Sequence, residues 1–253
     1  MHITSWNVNS LNVRLPHVLQ YLHETAPDIL GLQELKQTDA AVDTTAIEAA
    51  GYHIATHGQK TYNGVALIAR EALTDVVRGI PGYADEQARA IAASIGDVRV
   101  LNLYVPNGKA VGDEKYTYKL HWLDAATRYI DDLKREHPRL VITGDYNIAP
   151  ADLDVHDPDK WRDQILCSAP ERQALQNILA LGFKDAYRAL HPDTQQFSWW
   201  DYRMGGLRRN IGLRIDLTLA SDALALLDAG IDTAPRHWER PSDHAPVWVK
   251  IGA

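Results

Sequence analysis

The chain has 253 residues, of which 45% are hydrophobic, and this size allows one large α/β domain or two small ones. Its single cysteine excludes an intramolecular disulfide bond, and no Cys/His cluster has zinc-ligand spacing, so we expect a reducing, cytoplasmic location. The formal net charge of −7 argues against bulk attraction to nucleic acid but allows a local basic patch. The sequence has neither an export signal nor about 18 uninterrupted apolar residues, so no membrane association is expected.

Predicted strands and helices alternate in the first half of the chain. Residues Ile3–Trp6 form a predicted strand. The apolar residues from Leu15 to Leu22 recur at the spacing of one buried helix face, and Pro27 ends that helix. Further strands are predicted at Ile29–Leu32, Val65–Ala69, Ala90–Ser94 and Val98–Tyr104.

The second half repeats this order. A long helix is predicted from about Asp113 to Glu136, and another around Glu171–Leu181 that stops at Gly182, a favoured C-cap. Strands are predicted at Leu140–Thr143, Leu213–Leu219 and Ala245–Ile251. Because no Ser/Gly/Pro-rich linker separates the halves, the pattern predicts one domain over residues 1–253. The repeated order predicts two packed sheets with helices outside. A pseudo-two-fold axis would relate the two halves of the chain.

Five apolar strands end abruptly in carboxylate, amide or imidazole side chains. The segments are Ser5-Trp6-Asn7-Val8-Asn9, Leu32-Gln33-Glu34-Leu35-Lys36, Gly144-Asp145-Tyr146-Asn147, Leu213-Arg214-Ile215-Asp216 and Ser242-Asp243-His244-Ala245-Pro246. An isolated buried charge costs on the order of several kcal/mol unless it is paired or holds a metal, so we expect these groups to converge. Oxygen ligands from Asp, Glu and Asn suit Mg²⁺, with Mn²⁺ as a substitute, better than zinc.

Each segment alone has an ordinary structural explanation. A strand-terminal Asp-x-Asn is more often a capped turn than a catalytic base, and a lone His244 is more often a structural histidine. An isolated Asn7 or Glu34 carries almost no information. The functional interpretation therefore depends on five such segments occurring in one chain in a particular order.

Taken together, the segments resemble the exonuclease III-type apurinic/apyrimidinic endonucleases, within the DNase I-like superfamily of Mg²⁺ phosphoesterases. The motifs that carry the resemblance are SWNVNSLNVR, LQELK, YNGVALIAR, LYVPNG, KYTYKLHWL, GDYNIAP, GLRID and SDHAPV. They span nearly the full chain, and LQELK, LYVPNG and GLRID are specific to this family within the superfamily. The resemblance implies a four-layered α/β sandwich, in which two packed mixed β-sheets are flanked by helices.

The resemblance also implies a metal site. Glu34 is the expected principal ligand of Mg²⁺, with Asn7 beside it and with Asn9 and Asp243 in the inner or outer ligand shell. The implied reaction is hydrolysis of the DNA backbone at abasic sites, or removal of 3′-blocking groups and 3′-terminal nucleotides from duplex DNA. The expected partner is double-stranded DNA with abasic or 3′-blocked ends, and the expected enzyme is a monomer.

The same resemblance assigns the catalytic groups. Asp145 is expected to align or deprotonate the attacking water, and Asn147 to hold the reacting phosphate. His244 is expected to contact a non-bridging phosphate oxygen, with Asp216 as its carboxylate partner. Tyr104 is expected near the phosphate or the leaving oxygen. These roles meet the needs of phosphodiester hydrolysis, which are an in-line water, neutralised phosphate charge and a stabilised leaving group.

The segment from Trp199 to Asn210 interleaves aromatic and apolar side chains with three arginines around Gly205-Gly206. We expect Arg203, Arg208 and Arg209 to bind phosphates of an opened duplex, which would supply the local basic patch. The alternative is an ordinary loop in which Trp200 belongs to the core.

Further DNA contacts are implied by the resemblance. Asn107 is an expected DNA contact, and Trp199, Leu213 and Ile215 fall where the family builds a pocket for an extrahelical abasic sugar.

Two departures from the family bear on this pocket. The position of Leu213 is often tryptophan in the family, and the segment Leu166-Cys167-Ser168-Ala169-Pro170 replaces a run that begins with glycine. A bulky Leu166 in place of that glycine would obstruct a flipped abasic nucleotide. Substrate preference would then move towards 3′-phosphate removal, 3′-end trimming or exonuclease action.

Two other functions compete with this interpretation. One is a different DNase I-like Mg²⁺ phosphoesterase, acting on inositol phosphates, lipids or nonspecific DNA, but no lipid- or inositol-specific loop is recognisable. The other is a non-catalytic relative that only binds DNA or protein. Loss of activity normally removes ligands first. The acids, the amide and the imidazole of the site are all present, namely Glu34, Asp145, Asn147, Asp216, Asp243 and His244.

Overall fold

Twelve strands and six α-helices occur in residues 1–252, the part of the chain that the computed structural model describes. In chain order they are β1 His2–Asn7, α1 Leu11–Thr25, β2 Ile29–Gln33, α2 Thr44–Ala49, β3 His53–His57, β4 Val65–Ala69, β5 Thr74–Arg78, β6 Ala90–Ile95, β7 Val98–Tyr104, α3 Glu114–Glu136, β8 Leu140–Asp145, α4 Pro158–Trp161, α5 Ala169–Leu179, β9 Phe183–Asp185, α6 Ala186–Leu190, β10 Asp216–Ser221, β11 Leu226–Ile231 and β12 Val247–Ile251. Short 3₁₀ helices lie at Asp39–Ala41, Asp152–Asp154, Arg203–Gly205 and Ala234–His237.

The strands form two mixed sheets of six strands each. The order in the first sheet is β11-β12-β1-β2-β4-β3, and the order in the second is β5-β6-β7-β8-β10-β9. Each sheet has one parallel pair at its centre, β1 with β2 and β7 with β8, and a helix joins the two strands of each pair. The predicted two-sheet architecture is confirmed, and both sheets repeat the same central strand, helix and strand arrangement.

Three apolar clusters separate four layers. Leu30 and Ile68 of the first sheet pack beneath α1 and α2. Ile91 and Val100 of the second sheet pack against the first sheet, and the alternate residue Leu101 faces α3 and α5. This alternation follows from the two-residue period of a strand, which gives each sheet two apolar faces. Among the described residues, no helix combines the length and apolar character needed to cross a membrane.

The predicted boundaries fail at several places, and the strand expected to begin at Ala245 begins at Val247. The helix expected to stop at Gly182 ends at Leu179, because two successive turn hydrogen bonds follow it before Gly182 adopts a φ of +92°. The strand expected to begin at Leu213 begins at Asp216. Leu213 instead forms isolated β-bridges with Val155 and Trp199, so it connects the loops that carry these two residues.

A buried ion pair connects α3 with α5. The side chains of Lys119 and Glu171 are fully buried, and the Lys119 ammonium donates hydrogen bonds to Glu171 and to the carbonyl oxygens of Asn107 (3.2 Å) and Asn147 (2.7 Å). Glu171 also accepts the backbone N–H groups of Leu166 (3.0 Å) and Ser168 (3.1 Å). The pair therefore binds three loops at the same end of the second sheet.

Replacing Lys119 with methionine should destabilise the fold by about 3–5 kcal/mol, because the Glu171 carboxylate would remain buried without its counter-charge. Lys115→Met is the matched control, since Lys115 lies on the same helix but is exposed, and we expect it to change stability by less than about 0.5 kcal/mol. Urea denaturation of the two variants and the parent measures the difference. Equal stability of the two variants would contradict a stabilising role for the pair.

Candidate active site

The polar ends of strands from both sheets meet in one place. Asn7 ends β1 and Glu34 follows β2 in the first sheet, whereas Asp145 ends β8 in the second. Asp216, the first residue of β10, lies opposite Asp145 in the antiparallel register, and His244 lies just before β12. The convergence predicted from the five segments is therefore present in the structure.

The amide of Asn7 joins the two sheets at this point. Its nitrogen donates to Glu34 Oε1 at 2.9 Å and to Asp145 Oδ2 at 2.9 Å, so one neutral group separates two carboxylates. The Asn7 side-chain oxygen accepts the backbone N–H of Asn9 at 2.9 Å. Because a carboxylate only accepts hydrogen bonds when ionised, an amide nitrogen is well suited to hold two of them close together.

Unusual backbone conformations surround these groups. Asn9, Glu34 and Asn147 have φ angles of 46°, 56° and 49°, in the left-handed region that non-glycine residues rarely occupy. Such residues cost on the order of 1–3 kcal/mol each and cluster at functional sites. Gly144 is required for a different reason, because its φ is +149° and a Cβ there would lie 1.9 Å from the carbonyl oxygen of Leu103. The approach of β8 to β7 therefore depends on glycine directly before Asp145.

Asp216 and His244 form a buried pair. His244 Nδ1 donates to Asp216 Oδ2 at 2.9 Å and Oδ1 at 3.1 Å, and the two side chains are almost fully buried. Burial alone would lower the pKa of His244, but the charges of Asp216 and Asp145 raise that pKa to about 10. The imidazole is therefore protonated at neutral pH, and its Nε2–H, 3.8 Å from Asp145 Oδ2, is a donor facing the carboxylate cluster.

Asp145 and Tyr104 have raised pKa values for a related reason. Burial, aided by the charges of Asp216 and Glu34, raises the pKa of the Asp145 carboxyl to about 7. A base is most effective when its pKa is near the working pH. Burial and the charges of Glu34 and Asp145 also raise the pKa of Tyr104 well above its usual value, so its hydroxyl stays protonated.

A second group of polar side chains lies beside Glu34. Lys36 pairs with Glu34 at 2.9 Å and also donates to the Asn9 side-chain oxygen at 2.5 Å. Asn9 donates to Asp243 Oδ1 at 2.9 Å, and Trp199 Nε1 donates to Asp243 Oδ2 at 3.0 Å. Burial opposes ionisation of Asp243, yet His244 and these donors hold its pKa below the usual range.

Asn147 is fixed by the neighbouring loop. Its backbone N–H donates to Asp145 Oδ1 at 2.9 Å, and its amide nitrogen donates to the carbonyl oxygen of Val105 at 3.0 Å. Asn107, expected as a DNA contact, is exposed and donates to the Asn147 side-chain oxygen at 3.1 Å. A surface residue is thus connected directly to a residue of the buried cluster.

The donor set fits a hard divalent cation. A carboxylate oxygen of Glu34, a carboxylate oxygen of Asp145 and a ring nitrogen of His244 all lie within 4.8 Å of one another, and Glu34 is partly exposed. Because the imidazole is protonated, the two carboxylates are the members of this group that can hold a cation. The carboxylate and amide oxygens around Glu34 are the ligand type that Mg²⁺ and Mn²⁺ prefer, and the one cysteine, Cys167, lies buried in the Leu166 loop. The structure therefore contains a candidate acidic metal site.

The expected DNA-facing loop divides into exposed and buried parts. Arg203, Arg208 and Arg209 are exposed, and Trp199 is partly exposed. Trp200 is 3% exposed and donates to Asn210 at 3.1 Å, so it belongs to the core, as the alternative interpretation proposed. The three arginines are the part of the loop that is available to a polyanion.

The aliphatic residues expected to line the sugar pocket are buried. Leu166, Leu213 and Ile215 are at most 4% exposed and form one apolar cluster, against which Trp199 packs. Leu166 has a φ of 73°, a conformation in which glycine is the favoured residue. The backbone therefore retains a glycine-like conformation, while the leucine side chain occupies the space.

The sequence patterns do not identify several residues that hold the site. Ser198 donates to Asp216, Ser242 donates to the Asn7 carbonyl oxygen at 2.6 Å, and Lys119 binds the Asn147 carbonyl oxygen. Only Lys119 leaves a trace in the sequence, since it is a charged residue at a position on the apolar stripe of α3. The two serines have no distinguishing pattern.

Comparisons with known proteins agree with this geometry. The model of the endonuclease/exonuclease/phosphatase family matches residues 4–244. Exodeoxyribonuclease III of Haemophilus influenzae is 39% identical, over 99% of this chain and 100% of the relative. A Neisseria structure described as the 3′ phosphatase NExo bound to product DNA hairpin has a TM-score of 0.99 and 47% identity, and an AP endonuclease from Archaeoglobus fulgidus has a TM-score of 0.96 and 36% identity. Both structural alignments cover 100% of each chain.

Proposed function

The chain belongs to the endonuclease/exonuclease/phosphatase family and is a DNA-repair phosphodiesterase of the exonuclease III type, and we propose that it is Mg²⁺-dependent and favours 3′-blocked ends. The observation that carries the proposal is the Asn7 amide, which holds Glu34 and Asp145 together beside the Asp216–His244 pair. The two competing functions lose support, because the full-length relatives are exonuclease III-type enzymes and the acids and amides of the five segments converge.

Glu34 is the proposed principal ligand of Mg²⁺, with Asn7 beside it and with Asn9 and Asp243 in the inner or outer shell. Partial exposure of Glu34 supports this assignment, because a ligand must be reachable by a hydrated ion and by substrate. When bound, the cation would neutralise phosphate charge and stabilise the leaving oxygen. Lys36, already paired with Glu34, would then hold the carboxylate in one orientation.

The remaining roles follow from hydrogen-bonding capacity. Asp145 is the proposed base for the attacking water, and its raised pKa of about 7 supports this role. His244 is proposed to donate its Nε2–H to a non-bridging phosphate oxygen, while Asp216 holds the imidazolium. Asn147 has one amide hydrogen left for the phosphate after its bond to Val105, and the protonated hydroxyl of Tyr104 is a further donor.

A duplex end is the proposed substrate, with phosphates on Arg203, Arg208 and Arg209 and a contact at Asn107. The exposure of these residues and the DNA hairpin in the Neisseria structure support this arrangement. Because Leu166 fills the sugar pocket with Leu213 and Ile215, 3′-phosphate removal is proposed to exceed abasic-site incision. A terminal phosphate reaches the acidic cluster without placing a sugar in the pocket.

The setting of the enzyme is also proposed. One catalytic domain over residues 1–253, acting as a monomer in the cytoplasm, is consistent with the sequence patterns. The match of the family model to residues 4–244 supports the single domain.

Glu34→Ala should abolish metal-dependent hydrolysis and weaken Mn²⁺ binding, because it removes the principal ligand while leaving the core intact. Activity on a 3′-phosphate duplex is measured in Mg²⁺ and in EDTA, and Mn²⁺ binding is followed by electron paramagnetic resonance. Glu24→Ala serves as the control, since Glu24 is an exposed acid on α1. Near-wild-type turnover of Glu34→Ala at low millimolar Mg²⁺ would refute the ligand assignment.

Asp216→Ala and His244→Ala should lower kcat by similar factors, and the double variant should lose little more than either one. Residues that act as a unit are non-additive in this way. The three variants are compared with the parent by single-turnover kinetics on one duplex. Fully multiplicative losses would mean that the two residues act independently.

Leu166→Gly should raise abasic-site incision relative to 3′-phosphate removal by about tenfold or more. A steric cost of about 1.4 kcal/mol corresponds to that factor, and nucleotide extrusion already costs a few kcal/mol of unstacking. Both activities are measured on the same duplex context. Because Asp145 and Glu34 serve both reactions, their alanine variants should lose both equally.

Two controls isolate the side-chain volume at position 166. Leu166→Ala removes most of the bulk but keeps a Cβ at positive φ, and it should change the ratio in the same direction. Leu175→Ala truncates a leucine that is buried in another cluster, and it should leave the ratio unchanged. An unchanged ratio in Leu166→Gly, or a parent enzyme that incises abasic DNA as its best reaction, would show that Leu166 is not a gate.

A further inference from the structure

The hydroxyl group of Ser198 makes three hydrogen bonds next to the proposed pair of Asp216 and His244. Its hydroxyl accepts the backbone N–H groups of Ile215 (3.1 Å) and Asp216 (3.0 Å), and it lies 2.6 Å from Asp216 Oδ2. A serine oxygen has two acceptor lone pairs and one hydrogen. Because both lone pairs are occupied, the single hydrogen is available only to the Asp216 carboxylate, which fixes the direction of this bond.

The backbone of Ser198 is bound to the other member of the pair. Its carbonyl oxygen accepts the N–H of Ala245, the residue after His244, at 2.7 Å. Ser198 itself is 0% exposed, so water does not compete for these bonds. One residue is therefore attached to the carboxylate of Asp216 and to the segment that carries His244.

We infer that Ser198 is a positioning residue, which orients the Asp216 carboxylate so that it meets the His244 imidazole. Asp216 Oδ2 accepts hydrogen bonds from both Ser198 Oγ and His244 Nδ1, so rotation of the carboxylate would break both bonds together. The inference rests on the proposed role of the pair. If Ser198 served only to accept the two backbone N–H groups, the effect of its replacement on activity would not depend on the Asp216 side chain.

The test is a double-mutant cycle between Ser198→Ala and Asp216→Ala on a 3′-phosphate duplex. In the parent background, Ser198→Ala should lower kcat by about tenfold or more, the usual effect of removing an outer hydrogen-bond partner, with little change in KM. In the Asp216→Ala background, the same change should cost less than about twofold. Ser198→Thr keeps the hydroxyl and should restore most of kcat.

Ser221→Ala is the matched control. Ser221 is buried at the opposite end of β10, where its hydroxyl donates to the Pro138 carbonyl oxygen at 2.6 Å and accepts the N–H of Leu140 at 3.2 Å. Its loss should lower the melting temperature without lowering kcat. Circular dichroism and melting curves check that all variants are folded, and Ser198→Cys, which keeps the volume with a weak donor, replaces Ser198→Ala if that variant does not fold.

The outcomes separate this inference from the proposed function. An equal loss from Ser198→Ala in both backgrounds would overturn the inference, because the effect would not pass through Asp216. Parental kcat in Ser198→Ala together with an inactive Asp216→Ala would overturn the inference alone. Parental activity in Asp216→Ala would overturn the proposed role of the pair and the inference with it.

Discussion

The hydrogen bonds from one amide nitrogen, that of Asn7, to two carboxylates are the interaction on which the rest of the site depends. Glu34 belongs to the first sheet and Asp145 to the second, so the amide fixes the distance between the ends of the sheets. Below it, Gln33 donates to Asn102 of the second sheet at 2.6 Å, and Asn102 donates to the carbonyl oxygens of Leu32 and Ala66 of the first sheet, so further polar contacts join the two layers. Two carboxylates that would repel each other are thereby held close together by one neutral donor.

Buried cations hold the loops that carry these acids. Lys119 binds the carbonyl oxygens of Asn107 and Asn147, and Arg236 binds those of Trp200 and Ser242. Arg14, which is half-buried, also binds the carbonyl oxygens of Asn9 and Pro241. Backbone carbonyl oxygens that have no partner strand beyond the strand ends need hydrogen-bond donors. Cationic donors form stronger hydrogen bonds than neutral ones. The positive side chains of an acidic protein are thus used partly to build the site, whereas the arginines of the loop after Trp199 are exposed.

Sequence patterns predicted the elements in which apolar residues recur regularly over many positions, such as α3 and β7. Burial of a helix face or a strand requires such a pattern. They also predicted that the polar groups at the strand ends converge, because isolated charges are costly to bury. They failed where tertiary contacts decide the outcome. Leu213 leaves the strand because its backbone pairs with Trp199, and the hydroxyl of Ser198 binds Asp216, which is 18 residues away in the chain.

The backbone conformation of Leu166 is held independently of the acidic cluster. A leucine at a φ of 73° costs about 1–2 kcal/mol, whereas burying its side chain returns about 1.5–3 kcal/mol, so the strained residue is tolerated. Its backbone is held by Glu171 and Ala149, and neither bond involves the acidic cluster. Glycine and leucine therefore suit the same backbone path, and the side chain at position 166 can change while the Asn7, Glu34 and Asp145 contacts stay in place.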